Sequence, residues 1–147
     1  MQKENSSPRW KLRLKNYLQA LTSLQGTLDY RQGQIFEPGK MQLEMERQAC
    51  IKSFEYTYEL GWKTLKDYLE EAGNSDLPGS KSVIRLAVKE GIIPEMDAQI
   101  WMDMVGDRNL TTHTYDLEIA ARVVGRITKD YRAAFERLAN HLKENAN

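Results

Sequence analysis

From Arg9 almost to the end of the chain, apolar residues recur at steps of three and four, and no stretch keeps the alternation of two that a strand requires. That periodicity confines the chain to helices. Its 4 prolines and 9 glycines gather in a few short stretches, so the helices between them are long. With 147 residues, one domain can bury about two-thirds of the surface that the unfolded chain exposes. The expectation is a single helical domain over 1–147, with residues 1–8 as a flexible N-terminal arm.

Trp10, Leu14, Tyr17, Leu18, Leu21, Leu24 and Leu28 mark one face of a first helix over residues 9–30, which Gly33, Pro38 and Gly39 bring to a stop. A second helix over residues 41–72 is roughly 45 Å long, with Gly73 in place as its C′ residue. Cys50, Phe54, Tyr58, Gly61, Leu65 and Leu69 form its stripe, which Ile51, Trp62 and Tyr68 widen. Core packing accounts for these aromatics, with a partner-facing surface as the alternative. After a loop over residues 74–79, Ser80 can cap a short helix carrying Val83, Ile84, Ala87 and Val88, which Gly91 ends. Pro94 then opens another, with Met96, Ile100, Trp101, Met104 and Val105 on its apolar side.

The last helix begins just after Thr114, with Asp116 and Glu118 in its first turn. Leu117, Ala121, Val124, Ile127, Tyr131, Ala134, Leu138 and Leu142 form its expected inward stripe. The pattern predicts an all-α, up-and-down four-helix bundle, with a short helical insertion between the second and last long helices.

Several functions are disfavoured. Lys plus Arg and Asp plus Glu balance at 21 each, whereas broad non-specific binding of nucleic acid, DNA included, calls for a basic excess. The lone Cys50 sits in an apolar stripe without a base partner, which fits a reducing, cytoplasmic setting and argues against thiol catalysis. The N-terminus has no apolar h-region, and no apolar run reaches the about 18 residues of a membrane span. His113 and His141 lack ligand spacing, no Glu-x-x-His pair exists, and no Gly-rich phosphate loop precedes a helix. Neither a metal nor a cofactor is expected.

One polar segment, Asp107 to Asp116, interrupts the apolar periodicity where a bundle needs only a short link. Arg108 and His113 lie five residues apart, so on one continuous helix they would point about 140° from each other. They converge if the helix breaks between Asn109 and Thr112, which we favour because Thr111, Thr112 and Thr114 are competent N-cap residues. They can also meet copies from a symmetry-related subunit. Arginine offers a charged fork matched to phosphate oxygens, and histidine moves protons near neutral pH. Together they suit cleavage of a phosphodiester without metal. The plain alternative for such spacing is a helix cap or a surface pair. His141, near a helix C-terminus, simply suits the helix dipole.

Three blocks carry a family likeness. The first is Phe54-Glu55-Tyr56-Thr57-Tyr58-Glu59-Leu60-Gly61-Trp62-Lys63-Thr64-Leu65-Lys66-Asp67-Tyr68-Leu69, and the second is Ile84-Arg85-Leu86-Ala87 with Gly91-Ile92-Ile93. The third is Arg108-Asn109-Leu110-Thr111-Thr112-His113-Thr114-Tyr115. Through them the chain, from about Leu12 to Leu142, resembles the HEPN superfamily, in particular the nucleotidyltransferase substrate-binding proteins and HepT-type toxins. The resemblance implies a bundle that forms a homodimer or higher homo-oligomer, bringing two Arg–His motifs to one cleft. It also implies a cognate minimal nucleotidyltransferase as partner. In the toxin reading, RNA is cut without metal by Arg108 and His113, with Asn109 as an accessory polar residue. The partner silences the toxin by adding AMP to Tyr115. In the older reading the chain is a non-catalytic substrate-binding subunit of a two-component nucleotidyltransferase. A purely structural helical adaptor is the third reading.

Overall fold

A computed structural model describes residues 7–146, so six of the eight residues expected to form an N-terminal arm lie outside the described residues. The architecture is all-α. Helix α1 spans Arg9–Gln32, α2 Lys40–Glu71 and α3 Ser80–Lys89. A 3-10 turn, Glu95–Asp97, leads into α4, Ala98–Leu110. A second 3-10 turn, Thr111–His113, separates α4 from α5, Leu117–Arg126, and a π turn, Ile127–Tyr131, joins α5 to α6, Arg132–Ala146.

Cross-helix contacts fix the directions. Trp101 of α4 packs near Tyr58 of α2 while Thr114, just past the end of α4, meets Gln48, so α4 runs antiparallel to α2. Tyr17 of α1 bonds Phe135 while Asp29 pairs with Arg132, so α1 runs antiparallel to α6. The result is the expected up-and-down bundle, with α3 as the insertion between α2 and α4. Among the described residues, no helix is long and apolar enough to cross a membrane.

The core is built largely from the predicted stripes. Trp10, Leu14, Tyr17, Leu21, Leu24 and Leu28 of α1 are buried, and Leu18 is half-buried at the edge. Each large side chain so buried contributes about 1.5–3 kcal/mol. On α2, Phe54 and Tyr58 are buried, which makes core packing the right reading for them. Phe54 stacks on Tyr131 with ring centres 5.3 Å apart, and Trp101 meets Phe135 edge-on at 5.5 Å. Gly61 is required by this packing. A Cβ there would lie 3.1 Å from Tyr17 Cε1 and 3.5 Å from Trp101 Cη2. Tyr17 cannot swing away easily, because its hydroxyl donates to the Phe135 carbonyl at 2.6 Å.

Three local expectations need correction. The N-cap of α3 is Gly79, not Ser80, and the Ser82 hydroxyl supplies the local hydrogen bonds to Gly79. Pro94 precedes the 3-10 turn instead of opening an α-helix, which leaves Met96 exposed. In α5 the buried positions are Ala120 and Val123, one residue out of step with Ala121 and Val124, and Leu117 is exposed. From the π turn onward the predicted stripe holds, with Ile127, Tyr131, Ala134, Leu138 and Leu142 buried.

Two buried carboxylates pin α4 to the α5–α6 rod. Asp97 receives a two-pronged contact from Arg137, both bonds 2.7 Å long. At the other end Asp107, 2% exposed, accepts from Arg126 Nη1 at 2.6 Å and from the buried Tyr131 hydroxyl. The π turn carries Tyr131, and a π turn of this kind often marks a functional site. Burial and the neighbouring Asp107 both raise the Tyr131 pKa, so its proton stays on oxygen and is donated. The Asp107→Ala variant would leave that hydroxyl without a partner, at a cost of about 2–4 kcal/mol. Urea unfolding followed by circular dichroism should read that loss, and a smaller one for Tyr131→Phe, which leaves the Arg126 pair intact.

Candidate functional site

The polar segment does break the helix. α4 ends at Leu110, and the Thr111 and Thr114 hydroxyls turn back onto the carbonyls of Arg108 and Thr111 at 2.8 and 3.0 Å. Gln48 of α2 donates to the Thr114 carbonyl at 3.1 Å, which ties the turn to the bundle. The threonines therefore finish the outgoing helix and do not start the next. The N-cap of α5 is Asp116, whose Oδ1 accepts from the Glu118 and Ile119 amides at 2.9 and 3.3 Å.

Arg108 reaches toward α2 from the last turn of α4. Its Nε lies 3.3 Å from Glu59 Oε1, and Nη1 lies 3.6 Å from Glu55 Oε2 and donates to Thr111 Oγ1 at 3.0 Å. The guanidinium lines an open cavity of about 310 Å³ with Lys52, Glu55, Tyr56, Glu59 and Lys63. Its side chain is 34% exposed, and ion pairs of this kind are worth only about 0–1 kcal/mol. A phosphate can exchange for the carboxylates at little cost.

His113 and Asn109 are exposed, and His113 is not among the side chains lining the Arg108 cavity. The His113 imidazole sits instead beside Tyr115, ring centres 6.2 Å apart. Tyr115 is 81% exposed. Within one protomer, then, His113 and Tyr115 are neighbours, while the polar contacts of Arg108 are with Glu55, Glu59 and Thr111. His141 lies apart on α6, half-buried. Burial pushes the Cys50 thiol up to about 12, so it stays protonated near neutral pH and is a poor nucleophile. Among the described residues, no group of three His, Cys, Asp or Glu side chains is arranged to hold a metal ion.

Sequence reasoning assigned no polar contact to Glu55, Glu59, Asp107 or Tyr131, the last of which it placed only in the inward stripe. Glu55 and Glu59 stand four apart on one face of α2 inside the aromatic block, but their partner lies 49 residues beyond Glu59. The one available signal was Tyr131, a tyrosine in an apolar stripe whose hydroxyl needs a buried acceptor.

The profile of the nucleotidyltransferase substrate binding protein-like family matches residues 12–144. A protein of Haemophilus influenzae named probable ribonuclease HepT is 38% identical over 83 residues, 54% of this chain. The match covers 56% of that relative's length, so this chain spans little more than half of it. A crystal structure from Thermus thermophilus has the same fold, with a TM-score of 0.72 and 33% identity over 86% of this chain and 98% of that one. The chain belongs to the nucleotidyltransferase substrate binding protein-like family.

Proposed function

We propose that the chain is a cytoplasmic, metal-independent endoribonuclease, the toxin of a two-component system, silenced when a cognate minimal nucleotidyltransferase adds AMP to Tyr115. The observation that carries this reading is the α4–α5 junction, where Arg108, the exposed His113 and the exposed Tyr115 occupy one short segment held by buried contacts. In the cleavage step the RNA 2′-oxygen attacks the neighbouring phosphorus as its proton is removed. The bond to the 5′-oxygen then breaks as that oxygen takes up a proton, leaving a 2′,3′-cyclic phosphate. His113 performs one of the two transfers. Arg108 exchanges Glu55 and Glu59 for the phosphate and stabilises its growing charge. A homodimer or higher homo-oligomer doubles the motif in one cleft, so a second copy's histidine can serve the other transfer. Asn109 adds a polar group beside the arginine.

Silencing follows from the same arrangement. The Tyr115 oxygen attacks the α-phosphorus of ATP, pyrophosphate leaves, and the phenol proton passes to solvent or a base. The new phosphodiester anion stands beside His113 and competes for the charge meant for RNA. The exposure of Tyr115 lets the partner's active site reach it.

A second reading, a non-catalytic subunit that presents substrate to the nucleotidyltransferase, draws support from the family's description and from the two carboxylates that already occupy Arg108. The two readings separate in a simple assay. Purified protein free of partner should cut total RNA in excess EDTA, and His113→Ala should lose about 10²–10⁴ in rate. Identical behaviour of wild type and variant, with nucleotide still bound, would favour the subunit. Intact-mass measurement after co-production with the nucleotidyltransferase should show one added adenylate. Tyr115→Phe should lack the adduct and escape silencing; a modified Tyr115→Phe protein would move the acceptor elsewhere.

A further inference from the structure

Tyr56 places a large aromatic ring on the solvent side of α2. Its neighbours Phe54 and Tyr58 are buried in the core, whereas Tyr56 is 64% exposed. Its ring lines the Arg108 cavity and also a second cavity of about 690 Å³ between α1 and α2. The two cavities share Lys52, Tyr56 and Leu60, so they form one groove. The far part of that groove is faced by Asn16, Gln19, Ser23 and Ser53, all short or flexible hydrogen-bonding side chains. The near part carries Lys52, Lys63 and Arg108, three cations against the two carboxylates Glu55 and Glu59. Lys52, Tyr56 and Lys63 follow one face of α2 over about 16 Å.

We propose that this groove is a binding subsite for single-stranded RNA, in which a base stacks on Tyr56 and the flanking phosphates meet Lys52 and Lys63 on the way to Arg108; it rests on the nuclease reading above and names where its substrate lies. An exposed aromatic flanked by cations is the usual construction for holding an unpaired nucleotide, because every base offers a flat face and every link a negative charge. The polar side chains beyond Tyr56 can bond base edges, which phosphate contacts alone do not read. The groove also accounts for RNA binding by a chain of zero net charge, since the cations need only be gathered locally.

The test uses the full chain and two readouts. Fluorescence anisotropy with a labelled 2′-O-methyl RNA oligonucleotide, uncleavable because its attacking oxygen is blocked, gives affinity. Cleavage of the matching RNA gives kcat and KM. Tyr56→Ala should bind about tenfold more weakly and raise KM with kcat little changed, while Tyr56→Phe keeps the ring and stays close to wild type. Lys52→Ala should flatten the salt dependence of binding. Wild-type affinity in Tyr56→Ala would overturn the subsite, as would a fall in kcat at unchanged KM. A change of oligomeric state by light scattering, without loss of RNA affinity, would assign the face to a contact between copies and overturn it too. RNA that binds through Tyr56 but is never cut would sink the nuclease and support the subsite. A wild-type protein that neither binds nor cuts RNA would overturn both.

Discussion

A single buried carboxylate decides how the polar end of this bundle is built. Asp107 is the last residue before the motif arginine, and it draws Tyr131 from the π turn and Arg126 from α5 onto the end of α4. Burying a carboxylate is costly unless its oxygens are satisfied. Here both are satisfied, one by a charged donor and one by a hydroxyl that has nowhere else to donate. The contact can be made only if α4 stops near Leu110 and the chain doubles back, so the break in the helix and the burial of Asp107 support each other. Asp97 and Arg137 repeat the device at the opposite end of α4. Between these two pins α4 has a fixed register against the α5–α6 rod, and Arg108 follows from that register.

What lies outside the clamp is held far more loosely. The ion pairs of Arg108 with Glu55 and Glu59 are partly exposed and imperfect in geometry, and His113 and Tyr115 face solvent. A rigid frame carrying exchangeable polar groups suits a site whose ligand is an anion. The same contrast suits control by a covalent adenylate, because a modification at an exposed phenol changes the charge beside His113 without disturbing the core. In the reading proposed here the carboxylates of α2 keep Arg108 oriented until a phosphate replaces them.

Much of this was legible in the residues. The α1 stripe and the helix-ending glycines were plain because helical periodicity is a local signal, repeated over many turns. The break at the polar segment was legible for the same reason, as an interruption of that signal. Its cap was not. Asp116 competes with three threonines of equal intrinsic merit, and only the packing of Thr111 and Thr114 against the bundle settles which residue starts α5. The face of α5 was misread by one position because Ala120 and Ala121, and likewise Val123 and Val124, are adjacent apolar pairs, and either member of each continues the stripe from Ile127 at helical steps. Nothing local chooses between them. The pairing of Arg108 with Glu55 and Glu59 was beyond reach because it joins segments about 50 residues apart, which only the tertiary fold brings together.

The central claim is that the α4–α5 junction is where an RNA phosphate is met. The chain contains 2 histidines, one in the junction and one on α6, so imidazole resonances give a direct reading with an internal control. Titrating an uncleavable 2′-O-methyl RNA into the protein and following both imidazoles by NMR should shift the His113 signals saturably and leave those of His141 in place. His113 signals that stay fixed while RNA binds, or that move no more than those of His141, would contradict the account.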